Sequence, residues 1–182
     1  PGILSTLKQW EDAPHFGSLL RPKAGDVEAL RQKLASLPIQ EDLVLAPTHA
    51  KILKALEQIA LVGAKVHCVV ANPPYMGSGK MNGALKEFVK KEYPNAKADL
   101  CVCFIERGFD WLVPHGLNAL VTMHSWMFLS SFEDFRIHWL ANKRLVNLAH
   151  LGARAFDAIG GEVVQTAAFV WENAEAGTRP GT

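Results

Sequence analysis

The chain lacks the features that would take it out of the ordinary globular class. No apolar run approaches the roughly 18 residues that a membrane-crossing helix needs, and no charged-then-apolar leader opens the sequence. No membrane partner is therefore expected, and a bacterial cytoplasmic setting is. Cysteine is scarce: Cys68, Cys101 and Cys103 make an odd count without metal-type spacing. Buried, reduced thiols are expected. The seven histidines form neither an i, i+4 pair nor an HExxH run, so no metal site is inferred. Charge of one sign is also lacking. Nineteen Lys and Arg against eighteen Asp and Glu leave a net +1, which neither demands nor excludes nucleic acid, because a basic groove can hide in a neutral total. There is no internal repeat. The run Gly77-Ser78-Gly79-Lys80 is not a phosphate loop: Pro74 stands where its first glycine belongs, and Met81 follows the lysine.

What is present reads as one compact unit. The 182 residues are 49% hydrophobic and 20% charged, enough for a sizeable core. Asp26 is placed to cap a helix from Val27 to about Leu37, and Pro38 ends it. Residues 41–62 keep helical spacing, interrupted near Pro47. Val66-His67-Cys68-Val69-Val70 is nearly continuous apolar, as in a strand covered on both faces. Helices are predicted over 83–92, 99–113 and 126–142. Further strands are predicted over Leu117 to Met123 (opened by Gly116), Leu145 to Leu151 and Glu162 to Trp171. Strands alternating with helices predict an α/β fold with a mostly parallel sheet and flanking helices. Residues 1–64 read as a helical lead-in, 65–173 as the chemical unit and 174–182 as a tail.

Asn72-Pro73-Pro74-Tyr75 directly follows the first strand, at the sheet end where α/β folds place ligands. Methylating an exocyclic amine demands this residue set. Such a nitrogen shares its lone pair with the ring and is a poor nucleophile; acceptors against its two N–H bonds favour a more tetrahedral, more nucleophilic amine. Asn72 offers a side-chain carbonyl, and Pro73 a main-chain carbonyl without a competing N–H. Prolines fix φ and push the preceding residue to extended geometry, so the carbonyls are held before substrate arrives. Tyr75 offers a flat face worth about 1–3 kcal/mol in stacking, set against the few kcal/mol needed to extract a base from a duplex. The tetrapeptide alone does not choose among amino acceptors. A protein glutamine amide would suit it too.

The run VVANPPYMGSGKMN at 69–82 resembles the catalytic motif of N6-adenine DNA methyltransferases. DLCVCFIERGFDWL at 99–112, VTMHSWMFLSSFEDFR at 121–136 and HLGARAFDAIGGEVVQTAAFVWEN at 150–173 extend the likeness, in order, to the large adenine methyltransferases of BREX and phage-growth-limitation defence and to related restriction-modification enzymes. FGSLL at 16–20 also has a counterpart there. The resemblance implies the C-terminal half of a Rossmann-like fold, S-adenosylmethionine as donor, and a flipped adenine in double-stranded DNA as acceptor, with direct transfer. By position, Asn72 and Pro73 would hold the amino group, Pro74 would stiffen the turn, and Tyr75 would stack on one face of the base. Phe156 would close the other face. Lys80 and Asn82 are candidates for DNA phosphates at the mouth of the site or for a solvated loop; Lys86, Lys90 and Lys91 are candidates for a DNA-facing surface, with a plain solvated face expected; Ser125 and Trp126 are candidates for the pocket rim, with core packing expected for Trp126. Glu11 and Asp12 are the candidates for an acidic contact to the base, with surface placement expected for both.

The family's donor-binding strand–GxG–helix unit has no match in residues 1–64, and no target-recognition region follows residue 173. With Pro1 opening the chain, these gaps lead us to expect a piece of a longer enzyme. It is expected to be inactive alone, with an open sheet edge covered by the missing donor-binding and target-recognition regions or by a second copy of the chain. Two other readings stay open: a methyltransferase acting on a protein glutamine or another amine, and a non-catalytic DNA-binding or interaction module that keeps the fold.

Overall fold

The computed structural model describes residues 7–8, 10–22, 27–39, 42, 44–153 and 165–174. They form two compact units, Pro1–Ala64 and Lys65–Thr182. The predicted cap Asp26, the candidate Phe156 and the predicted tail beyond residue 174 lie outside the described residues.

The first unit is helical. A short helix α1 (Ala13–Phe16) leads into a 3-10 turn (Gly17–Leu19), and α2 (Val27–Ala35) and α3 (Ala46–Gly63) pair beyond it. Val27, Leu56 and Ile59 form their common core, packed by Trp10, Leu30 and Ile52 among others. Pro47 falls in the first turn of α3, where a missing N–H costs nothing, so it starts the helix and does not interrupt it.

The second unit is a four-stranded sheet ordered β1-β2-β4-β3, with β1 Val66–Ala71, β2 Leu112–Met123, β3 Arg144–Gly152 and β4 Thr166–Glu172. Between β1 and β2 lie α4 (Gly83–Glu92) and α5 (Leu100–Trp111); α6 (Glu133–Asn142) precedes β3. Three strands run one way, but β4 is reversed between β2 and β3. Only the β1·β2 ladder is parallel, and the sheet is mixed. The start predicted for β4 at Glu162 lies outside the described residues; the described strand begins at Thr166.

Two predicted elements change shape. The second strand begins at Leu112, before the Gly116 start read from sequence. Its ladder with β1 is irregular between Val66 and Cys68, and His115 takes a positive φ of 63°. Gly116 permits this: an added Cβ would lie 3.0 Å from the His67 carbonyl oxygen. The single helix predicted over 126–142 is two 3-10 turns, His124–Met127 and Ser130–Phe132, followed by α6. Ser130 and Ser131 compete locally for backbone groups, while Glu133 and Asp134 favour a fresh helix start. The Arg136 guanidinium donates to the carbonyls of Trp126 and Leu129 at 2.9 and 2.7 Å and pins both turns.

One face of the sheet is covered by an aromatic core. Phe109 of α5 stacks on Trp139 of α6 at 4.4 Å, and Trp126 meets Phe169 of β4 edge-on at 5.2 Å. Among the described residues of this unit, the opposite face is uncovered. Val70, Ala119, Val121, Ala149, Ala168 and Val170 line a shallow depression of about 270 Å³ there. This corrects the expectation that the first strand is covered on both faces. Among the described residues it is an edge strand that pairs with β2 alone, and Val70 is 80% exposed.

Burial sorts the thiols. Cys68 is exposed on β1, whereas Cys101 and Cys103 are buried in α5. Burial, reinforced by the nearby Asp99 charge, pushes the Cys101 thiol well above its ordinary range and keeps it protonated. A thiol reagent at neutral pH should therefore titrate Cys68 alone in the folded chain, and all three cysteines in denaturant. Rapid reaction of more than one thiol without denaturant would contradict this burial pattern.

Candidate active site

The site lies at the C-terminal end of β1. Asn72 is exposed, Pro73 buried, Pro74 exposed and Tyr75 half-buried. The Tyr75 hydroxyl donates to Asn72 Oδ1 at 2.9 Å and lies 3.4 Å from the carbonyl oxygen of Val121 on the neighbouring strand. A carbonyl oxygen accepts twice, so Asn72 keeps a second lone pair for an incoming N–H. Burial raises the Tyr75 pKa above the usual phenol value. The ring thus remains a neutral donor throughout the physiological range. A side-chain acceptor and an aromatic face stand together at one strand end.

The loop is held from below by α5. Asp99, only 5% exposed, caps that helix: its carboxylate accepts the Cys101 amide at 2.9 Å. The same oxygen accepts the Met76 amide at 3.4 Å. Around it, Leu100 donates to the Met76 carbonyl and Ser78 to the Ala98 carbonyl, both at 2.9 Å, and Gly77 bridges Asp99. Sequence reasoning passed over Asp99, although an aspartate before an apolar helix is a recognisable start signal.

The other candidates scatter. Asn82 is exposed and caps α4, accepting the Leu85 amide at 2.8 Å. Its carbonyl is thus engaged in a helix start; the phosphate contact considered for it would fall to its amide nitrogen. Lys80 is exposed in the turn behind the motif, its own amide bonded to the Gly77 carbonyl. Lys86, Lys90 and Lys91 are exposed on α4, and Lys91 also pairs with Glu92 at 3.6 Å. Trp126 is core: it is 3% exposed and donates to Thr122 Oγ1. Ser125 is half-buried and its carbonyl accepts the amides of Phe128 and Leu129. Glu11 and Asp12 are exposed in the first unit. Among the described residues no group of three metal-ligating side chains occurs, and no helix is long and apolar enough to cross a membrane.

Comparison with known proteins gives these observations a family. Residues 29–156 match the Eco57I restriction-modification methylase model. The chain is 42% identical over 178 residues to the adenine-specific methyltransferase BrxX of Escherichia coli O9:H4 (strain HS), covering 96% of this chain and 15% of that protein. It is 54% identical over 101 residues to the adenine-specific methyltransferase PglX of Lacticaseibacillus casei (strain Zhang), covering 56% of this chain and 8% of that protein. The chain therefore spans a small part of the curated relatives it matches. Two solved structures share the fold. One, from a type I restriction-modification system, has a TM-score of 0.51 at 16% identity, covering 82% of this chain and 36% of its own. The DrdV–DNA complex has 0.50 at 18%, covering 68% and 15%. The chain that builds this α/β fold, a mixed four-stranded sheet with flanking helices, belongs to the Eco57I restriction-modification methylase family.

Proposed function

We propose that this chain is the base-holding part of a DNA adenine-N6 methyltransferase serving a restriction-modification or phage-defence system. The observation that carries the reading is the Asn72 carbonyl beside the Tyr75 ring at the end of β1, in a chain 42% identical along nearly its whole length to a protein named adenine-specific. That likeness also favours adenine over a protein glutamine amide, and a catalytic part over a bare interaction module.

In this reading a flipped adenine lies against Tyr75, with Phe156 as the candidate for its other face. Asn72 Oδ1 and the Pro73 carbonyl take the two amino protons. Both acceptors sit on a proline-stiffened turn at a strand end, so little reorganisation is needed as positive charge develops on the nitrogen. The Tyr75 ring replaces the stacking that the base loses on leaving the duplex. S-adenosylmethionine supplies the electrophilic methyl group. Among the described residues the elements ahead of β1 are helical, which supports placing the donor's main site elsewhere. The reading assigns the donor, and the choice of DNA sequence, to parts of the parent enzyme other than this chain.

The test is expression of the full-length parent gene in a host without adenine methylation, followed by sequencing of genomic DNA for N6-methyladenine. Modified adenine at a recurring sequence is expected, whereas the 182-residue chain alone, given labelled donor and DNA, transfers no methyl. Unmodified adenine despite soluble parent and ample donor would refute the proposal, and turnover by the chain alone would refute the division of labour.

A further inference from the structure

We propose that Asp99 is a positioning residue for the amino-group site, in addition to being the cap of α5. This rests on reading residues 72–75 as that site. One buried carboxylate oxygen accepts two amides from different parts of the chain: Cys101, in the first turn of α5, and Met76, the residue directly after Tyr75. The helix needs only the first of these bonds. The second fixes where the motif loop leaves Tyr75. Tyr75 itself is tied at its other end to Asn72 and lies near Val121 of β2. The ring that would stack on the base is thus suspended between two strand ends and a point set by Asp99. Losing the Met76 bond leaves the loop on its backbone ties alone, Leu100 amide to Met76 carbonyl and Ser78 amide to Ala98 carbonyl, so the exit from Tyr75 is less closely set, and such a change acts on the geometry of reaction more than on folding. Displacements of about 1 Å at a reacting centre can cost on the order of a hundredfold in rate.

The chemistry of helix caps separates the two roles. Serine, asparagine and aspartate are nearly equal as caps, but they differ in reach. Asparagine keeps an oxygen at the position of the aspartate Oδ1 and can accept both amides. Serine keeps the cap with a shorter side chain that does not extend to Met76. Alanine keeps neither. In the full-length parent enzyme, Asp99→Ser should therefore melt close to wild type but lose about 10- to 100-fold in kcat, with KM for the methyl donor unchanged. Asp99→Asn should retain both melting temperature and kcat within a few-fold, and Asp99→Ala should lose both. Hydrogen exchange supplies a readout independent of turnover: the Met76 amide should exchange faster in the serine variant than in wild type or the asparagine variant.

A folded serine variant with wild-type kcat and a protected Met76 amide would reduce Asp99 to a helix cap and overturn the proposal. So would a folded asparagine variant as impaired as the serine one, since charge and not reach would then matter. Should the serine variant fail to fold, the asparagine variant decides: wild-type turnover with a protected Met76 amide supports the proposal, and a tenfold loss in kcat overturns it. The exchange arm needs no substrate. It can be read even if the wild-type parent leaves adenine unmodified, an outcome that would reject the reading of residues 72–75 without touching the tie between Asp99 and Met76.

Discussion

Asn72→Ala in the full-length parent enzyme is expected to lower the rate of methyl transfer by about a hundred- to a thousandfold, the range seen when one preorganised polar contact to developing charge is removed. In the proposed reading the contact is an acceptor that would stabilise positive charge on the amino nitrogen as the methyl arrives. The interaction is weak with the ground-state amine and strong in the transition state, so the loss belongs in kcat, with KM for DNA little changed. Stability should not confuse the result. Asn72 is exposed, and its side-chain oxygen accepts only the Tyr75 hydroxyl among the described hydrogen bonds. Exposed substitutions of this kind usually stay within about 0.5 kcal/mol. Steady-state kinetics with labelled donor on unmodified DNA measure the effect. A variant with wild-type kcat would mean that the acceptor has been misassigned.

The second large effect concerns the scaffold. Gly108 of α5 faces Asn118 of β2 so closely that an added Cβ would stand 2.3 Å from Asn118 Oδ1 and 2.8 Å from its Cγ. Asn118 cannot easily yield. It is fully buried, and its Nδ2 donates to the Ile105 carbonyl at 3.0 Å. Gly108→Ala gains about 1 kcal/mol of helix propensity. Against that stand about 1–3 kcal/mol for overpacking and a similar cost if the Asn118 bond breaks inside the core. The clash wins. A net loss of about 2 kcal/mol should appear as a fall of roughly 4–8 °C in the melting temperature of the 182-residue chain. Truncating Asn118 at the same time makes room, so Gly108→Ala with Asn118→Ala should cost clearly less than the sum of the single changes. Strict additivity, or a stabilised Gly108→Ala, would show that α5 and β2 are not locked at this point.

Much of this was legible from residue pattern because it depends on local chemistry. The helix over 83–92 needs only its local spacing. The apolar run before Asn72 reads as a strand whatever covers it. The Asn-Pro-Pro-Tyr turn carries its own stiffness. What escaped depends on partners distant in sequence. The break at 130–132 is held by Arg136 reaching back to two carbonyls, and nothing in the run from 126 to 142 announces that arginine as a clamp. The second bond of Asp99 joins residues 23 apart, so only its cap was within local reach. The early start of β2 required seeing that Gly116 clears the backbone of β1. An open sheet edge was expected without its strand being assigned, and full coverage was inferred for β1 from its apolar run. A continuous apolar strand records what it is built to touch, and among the described residues one face of β1 touches little.

That uncovered face has a consequence for how such an enzyme could be divided. Its residues are small, mostly alanine and valine, so helices could approach closely, and the unpaired edge of β1 offers a complete ladder of backbone partners. A cut placed ahead of this strand would leave each piece with a join already shaped for the other. In the reading proposed above, the base grip would travel on one piece and the methyl source on the other. Made from separate messages, the two would work as a coincidence detector: neither marks a genome by itself, and modification begins only in a cell that makes both.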